Sequence, residues 1–339
     1  MKIVFFGSSN FAVPSLEQLI NSDHHVLAVV TQPDRKKGRD LKLAPTPVKE
    51  AAISKGIDIY QPEDACGKEA LKFLKSLKAD IFVVVAFGQI LSKEVLGIPR
   101  RYSINAHPSL LPKYRGAAPV NWSIIKGDTK TGLTLIRMNE KMDAGDIMLQ
   151  RKIEITKEDN AQTLNDKLSY LGSILLLDGI RFIELDKIVF RKQNKKAVTL
   201  APRLKKEDGL IDWKKPARAI HNMVRGLVPW PCAFTLLSGK TLKVWKTEVM
   251  SYYNKPEPGR ITDIYKDNIY VSCGKEALII KELQLEGSKR MDSASFARGH
   301  KLEKNMYFGD PPKEAPPKPD ISENDQDEDE SVSSEENIS

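Results

Sequence analysis

"KIVFFGSSNFAVPSLEQLINSDHHVLAVVTQ", residues 2–32, decides the fold class. The runs KIVFFG (2–7) and HVLAVVTQ (25–32) are apolar on both faces of an extended chain, which suits strands buried from both sides. Between them, PSLEQLINS is amphipathic at helical spacing. A strand, a helix and a second strand make a βαβ unit, so the stretch predicts a parallel sheet with helices packed on it. The turn GSSNFAVPS has one glycine and then Ser8, Ser9 and Asn10, where a dinucleotide fold needs GxGxxG to bring the backbone up to a pyrophosphate. Standard NAD binding is therefore disfavoured, although a helix N-terminus there still attracts anions.

The same rhythm continues outward. IDIYQ (57–61), DIFVVVAFG (80–88), YSINAH (102–107) and GLTLIRM (132–138) read as strands, KEALKFLKSLK as a helix, and TLNDKLSYLGSILLLDGIRFIEL (163–185) as the helix that closes the domain. Beyond it the periodicity stops, and RKQNKKAVTLAPRLKK is basic and punctuated by proline. After one more helix, PARAIHNMVRGL, come the short strands AFTLL, TLKVWKTEV, GRITDIYKD, NIYVSCG and ALIIKELQL, separated by turn residues as in a small barrel. The expected α/β organisation is a Rossmann-like parallel-sheet domain over residues 1–190, a basic linker over 191–206, an OB-like β-barrel over 207–309 and a disordered acidic tail over 310–339.

Composition narrows the function classes. The chain has 339 residues, 41% hydrophobic and 29% charged, as in ordinary globular proteins. Cys66, Cys232 and Cys273 form no CxxC pair and the five histidines no HxxxH spacing, so neither a metal site nor a disulfide framework is expected. The opening MKIVFFGSSN is broken at Gly7, too early for a signal peptide, and the densest apolar run, IFVVVAF (81–87), is far too short to cross a bilayer. The cytoplasm is the expected compartment. Net charge is +8, yet residues 320–339 hold nine acidic residues and no Lys or Arg, so the body is more basic than the total implies. Such a body suits a polyanionic partner, with ordinary solubility charge as the plain alternative. The tail either competes with that partner for the basic surface or is a passive extension.

The chemistry concentrates in INAHPSLLPKYRGAAPVNWSIIKGD, residues 104–128. On a strand, Asn105 and His107 face one side and Ala106 the other, at the carboxyl edge where open α/β sheets bind ligands. A carboxamide donor beside a group that titrates near neutrality suits addition of a nucleophile to a carbonyl-like carbon. No spacing implies a nucleophilic Ser or Cys, so direct transfer to an external nucleophile fits better than a covalent intermediate. A hydrogen-bonded strand end accounts for the same two residues equally well. KMDAGDIMLQ offers Asp143 and Asp146 to orient His107, or is an ordinary turn. QPDRKKGRDLKL (32–43) carries five basic residues between positions 35 and 42 beside the same edge, either a clamp for a phosphate backbone or a solvated loop.

Together these stretches resemble the folate-dependent formyltransferases, and most closely the branch that acts on tRNA, over about residues 1–309. INAHPSLLPKYRGAAPVNWSIIKGD is similar to the family's active-site segment and MDAGDI to its aspartate loop. TQPDRKKGR with APTPVK looks like its basic insertion, while KEDGLIDW, LVPWP and LKVWK look like its C-terminal domain. The resemblance implies that Asn105, His107 and Asp143 form the catalytic trio and that Ser109, Leu110, Leu111 and Pro112 line the folate pocket. It places Arg35, Lys36, Lys37, Arg39 and Lys42 in the insertion that meets the acceptor end of tRNA, and makes Lys206 a functional linker lysine. The implied reaction moves a formyl group from 10-formyltetrahydrofolate, as co-substrate and without a metal, to the α-amino group of methionine on initiator tRNA. It also implies a monomer. Two departures stand out: LVPWP where Asn often precedes the first proline, and the acidic tail. The alternatives are a formyltransferase acting on an amino-sugar nucleotide, which needs no basic insertion, and an RNA-binding protein with an inactive transferase domain.

Overall fold

The computed structural model describes residues 1–37, 42–251 and 257–309; the side chain of Lys37, all of Arg39 and the acidic tail lie outside the described residues. In chain order, β1 (Lys2–Gly7), α1 (Val13–Ile20) and β2 (His25–Val30) are followed by a hairpin of β3 (Arg35–Lys37) and β4 (Lys42–Ala44). Next come α2 (Pro47–Ser54), β5 (Ile59–Tyr60), α3 (Lys68–Ser76), β6 (Ile81–Val85), α4 (Lys93–Leu96) and β7 (Tyr102–His107). β8 (Arg115–Gly116), α5 (Pro119–Ile125), β9 (Lys130–Arg137), β10 (Asp146–Glu154) and α6 (Ala161–Glu184) complete the first domain. β11 (Leu200–Ala201) and α7 (Ala217–Leu227) lead into β12 (Ala233–Leu237) and β13 (Lys240–Met250). β14 (Ile261–Tyr265), β15 (Asn268–Ser272), β16 (Ala277–Leu285), β17 (Met291–Asp292) and α8 (Ser293–His300) end the described chain.

Seven strands form the first sheet in the order β10-β9-β7-β6-β1-β2-β5. β1, β2, β5, β6 and β7 run parallel, but β9 is antiparallel to β7 and β10 antiparallel to β9, so the sheet is mixed rather than wholly parallel. The apolar pattern of β1 is explained by two cores. Ile3 and Phe5 pack with α1 and α6 on one face; Val4 and Phe6 pack with Leu74 and Val95 on the other. Each such fully buried side chain contributes about 1.5–3 kcal/mol, which makes the strand ends a rigid base for whatever sits on them. The helix α6 starts at a capping box between Asn160 and Thr163. It lies so close to the sheet that a Cβ on Gly179 would meet Leu135 Cδ1 and Met148 Cε at 2.7 Å.

The C-terminal unit is an antiparallel sheet in the order β12-β13-β16-β15-β14, with β17 on β16. Its core gathers Trp213, Phe296 and Phe308 with Val244, Ile269 and Leu283. The outer strands are covered by irregular chain: the Ile211 amide donates to the Phe234 carbonyl (2.8 Å) and the Ile261 amide to that of Met306 (2.7 Å), so their polar edges are satisfied. The two domains meet where α5 crosses α7. Trp122 and Ile125 pack on the second core, Asn121 Nδ2 donates to the Gly226 carbonyl (2.8 Å), and Arg225 Nη1 donates to that of Asp159 (2.7 Å). Among the described residues, no helix is long and apolar enough to cross a membrane.

Candidate active site

The strand β7 ends in Asn105 and His107, with Ala106 between them turned into the core. Asn105 is half-buried and its carboxamide has no hydrogen-bond partner among the described residues, whereas His107 is only 4% exposed. His107 Nε2 lies 2.9 Å from the carbonyl of Tyr114. A carbonyl can only accept, so Nε2 carries a proton and Nδ1 is the ring atom left for proton exchange. Facing Nδ1 at 3.5 Å is Asp143 Oδ1. Asp143 Oδ2 accepts the Gly116 amide at 2.8 Å, which fixes the carboxylate from behind. The phenol of Tyr114 donates to Asp128 Oδ2 (2.9 Å); burial and then this bond push its pKa well above the ordinary value, so it stays a donor.

Asp143 arrives by a different route from the one its sequence position suggests. A parallel β9 would have delivered its following loop to the carboxyl edge directly. The antiparallel register instead pairs Arg137 with Ile104, and the Met138 amide donates to the Ser103 carbonyl, so the loop leaves β9 below the edge. It must fold back to reach His107, with Asp143 at φ 50, a left-handed conformation that Asp and Asn tolerate better than most residues. Gln193 holds the loop: its Nε2 donates to the carbonyls of Asp143 (2.8 Å) and Gly145 (2.7 Å), while Oε1 accepts from Arg115 Nη2 (2.7 Å) and Nε (3.1 Å). Asp146 instead pairs with Arg137 at 2.6 Å, away from His107.

A cavity of about 540 Å³ opens over these groups, within the range of cofactor sites. Asn105, His107 and Asp143 line it together with Phe87, Gly88, Gln89, Ile90, Leu91, Ile136 and Met138–Met142. Ser109, Leu110, Leu111 and Pro112, expected beside the folate, are not among the residues that line this cavity, although Leu111 packs on Ile136, which does. They form a buttress behind His107: Thr134 Oγ1 accepts the Leu111 amide (3.1 Å) and donates to the Ser109 carbonyl (2.6 Å), and Ser109 Oγ donates to that of Lys113 (2.6 Å). Leu111 packs on Ile136 of β9 and Ile147 of β10, and the Thr199 amide donates to the Pro112 carbonyl (3.4 Å).

The cavity wall at Phe87–Leu91 was missed. Its signal was present in DIFVVVAFG, an apolar strand ending in glycine at the carboxyl edge, and Gly88 indeed has φ 93. The turn after β1 supports it, since Ser8 Oγ donates to the Phe87 carbonyl at 2.9 Å. The 191–206 segment is not a bare tether either. β11 pairs in parallel with β8, the Tyr114 amide donates to Thr199 Oγ1 (2.8 Å), and Arg203 reaches the cavity rim. Two-residue strands such as β8 and β11 have no period to read, so periodicity does not reveal them.

The basic residues fall in two places. Arg35, Lys36, Lys37 and Lys42 form the β3–β4 hairpin, with Arg35 in an exposed ion pair to Glu63 (2.8 Å). At its base, Asp34 is held by Lys49 (2.7 Å) and Gln61 (2.8 Å), contacts that lower its pKa. Lys206 lies elsewhere, on a second cavity of about 680 Å³ shared with Lys243 of β13 and with Lys289 and Arg290 between β16 and β17. That cavity is the larger, but among the described residues its lining holds no paired acid and base such as His107 and Asp143 make in the smaller one. Among the described residues, no cluster of three or more His, Cys, Asp or Glu side chains could hold a metal ion.

Residues 1–180 match the formyl transferase family and residues 203–301 the formyl transferase C-terminal domain. Methionyl-tRNA formyltransferase of Caldanaerobacter subterraneus subsp. tengcongensis is 46% identical over 303 residues, covering 89% of this chain and 98% of that protein. The methionyl-tRNA formyltransferase of Geobacter metallireducens is 46% identical over 309 residues, covering 91% and 99%. Two solved structures share the fold. One is a sugar 3N-formyl transferase in the presence of dTDP and 5-N-formyl-THF, with TM-score 0.63 at 20% identity over 85% of this chain and 99% of that one. The other is the N-formyltransferase from Helicobacter canadensis with folinic acid and dTDP-3-aminofucose, with TM-score 0.63 at 20% identity over 86% and 100%.

Proposed function

The chain belongs to the formyl transferase family, and from that premise we propose that it transfers the formyl group of 10-formyltetrahydrofolate to the α-amino group of methionyl initiator tRNA. The observation that carries the chemistry is the convergence on one cavity of an unpartnered Asn105 amide, the Nδ1 face of His107 and the Asp143 carboxylate 3.5 Å from it. The neutral amine attacks the formyl carbon, forming the new C–N bond and a tetrahedral oxyanion. Asn105 donates to that oxyanion, an interaction worth about 3 kcal/mol in such sites. Collapse breaks the bond to folate N10. The proton that the amine loses passes by way of His107 Nδ1, held in register by Asp143, to the departing N10, so the step is balanced without a covalent enzyme intermediate. The 3.5 Å separation is long for a hydrogen bond, and contacts of this kind tighten when substrate excludes water.

The apolar wall of Phe87, Ile90, Leu91 and Met138 suits a flat heteroaromatic ring, and the backbone turning at Gly88 leaves polar groups for its edge. Bringing amine and formyl carbon together there supplies much of the remaining acceleration. The β3–β4 hairpin and the Lys206 cavity favour tRNA over an amino-sugar nucleotide, since both offer cations where a polyanion would run. The enzyme is read as a monomer of the cytoplasm; light scattering at the mass of 38.1 kDa checks the first point. The test of the chemistry is Asn105→Ala with saturating labelled donor. The account expects a loss of about 10²–10³-fold in the transfer step with donor binding retained; turnover within a few-fold of wild type refutes it.

A further inference from the structure

We propose that Gln193 is a positioning residue for the transfer step: its carboxamide sets the fold-back of the 138–145 loop that aims Asp143 at His107. The inference rests on the His107–Asp143 reading above and extends it to a residue outside the cavity. Gln193 does not line the site, yet all of its polar capacity goes to building it. Both Nε2 hydrogens are spent on loop carbonyls, of Asp143 at 2.8 Å and of Gly145 at 2.7 Å. Oε1 accepts two bonds from Arg115, at 2.7 and 3.1 Å. With carbonyls at one end and a guanidinium at the other, the amide has one satisfactory orientation.

The loop needs such a fastening. It leaves β9 beside Ser103 and must return to the level of His107 with Asp143 in a left-handed conformation. The Gly116 amide secures the carboxylate, and among the described residues the side chain that secures the backbone on both sides of the turn, at Asp143 and Gly145, is that of Gln193. Arg115 and Gly116 are consecutive on β8, which pairs with β11, so the two fastenings share one support. A close approach at that support is built in: a Cβ on Gly116 would lie 2.6 Å from the Ala201 carbonyl oxygen. The chain that joins the domains thereby sets the angle of the carboxylate in the first.

The discriminating change is Gln193→Glu, which keeps the shape and strengthens the contact to Arg115 but turns a carboxylate oxygen on two carbonyl oxygens. Single-turnover transfer is measured for wild type, Q193E, Asp143→Asn and the double variant, alongside thermal midpoints and the 15N resonance of His107 Nδ1. A residue that acts through Asp143 lowers kcat about 30- to 100-fold in Q193E with both KM values within about twofold. In the Asp143→Asn background the same change alters kcat less than twofold, because the interaction is already lost. The His107 Nδ1 resonance moves in Q193E toward its position in Asp143→Asn. Multiplicative losses, an effect confined to KM, or an unmoved resonance overturns the proposal. Should Q193E fail to fold, Arg115→Lys replaces it in the same cycle, with the same outcomes deciding. Failure of the functional reading is separable, since wild type would then transfer no formyl group while the resonance still reports the coupling.

Discussion

Replacing Asp143 by Asn isolates the charge on which the mechanism depends. Asn tolerates the left-handed backbone at this position, and its side-chain oxygen can still accept the Gly116 amide. What disappears is a negative charge 3.5 Å from His107 Nδ1. At an effective dielectric of about 20, suited to a partly buried pair, Coulomb attraction at that distance favours positive charge developing on the ring during proton transfer by at most about 5 kcal/mol. Water reaches the 13% of the Asp143 side chain that is exposed, and the variant keeps its dipole, so we expect about 3 kcal/mol to appear in the transition state. The measured consequence is a fall in single-turnover transfer of about 10²-fold. Donor and acceptor dissociation constants should remain within about threefold, and the unfolding midpoint should be unchanged. A kcat within about fivefold of wild type would refute the reasoning, because the carboxylate would then be holding the loop and nothing more.

Three further changes probe other parts of the account. Gly116→Ala forces a side chain into φ +124 and against the Ala201 carbonyl; chemical denaturation should show a loss of about 2–5 kcal/mol, with transfer slowed because the amide that holds Asp143 moves. Burial and then the nearby Arg225 and Arg218 lower the pKa of His221 from 6.5 to about 4. Between those values the unfolded chain takes a proton that the folded chain refuses, so stability should fall as pH drops from 6.5 toward 4, by roughly 3 kcal/mol in all; His221→Asn should flatten that part of the urea-midpoint profile. Lys206→Ala should weaken tRNA binding and reduce the slope of log K against log salt by about 1, leaving donor binding as it was; an unchanged slope would remove Lys206 from the tRNA surface.

Most of the first sheet was legible because its strands are buried on both faces, so that β1, β2 and β6 stand out as nearly unbroken apolar runs. β10 was not read as a strand: it lies at the sheet edge with Gln150, Arg151, Lys152 and Glu154 at least partly exposed, and its pairing is set by β9 rather than by its own pattern. The strands β12, β13, β15 and β16 were legible to within a few residues, since turns such as Ser238–Gly239 mark their ends. In the site, Asn105 and His107 could be placed from alternation along one strand. Asp143 could be named but its path could not, because strand direction is a property of the sheet and not of GLTLIRM. Gln193 and the Phe87–Leu91 wall escaped for the same reason: each acts through contacts with chain more than forty residues away or across a strand end. Ser109–Leu111 adjoin His107 in sequence, but their backbone bonds to Thr134 on β9 could not be read from that adjacency.

The central claim is that this cavity moves a formyl group from a reduced folate to the amine of an aminoacylated initiator tRNA. Its most direct test is single-turnover transfer from labelled 10-formyltetrahydrofolate with three acceptors offered in parallel: methionyl initiator tRNA, a charged elongator tRNA and an amino-sugar nucleotide. The account predicts rapid labelling of the initiator tRNA alone. Labelling of the sugar nucleotide alone would contradict it, keeping the chemistry of Asn105 and His107 but removing the role assigned to the hairpin and the Lys206 cavity; no labelling of any acceptor would contradict the reaction itself.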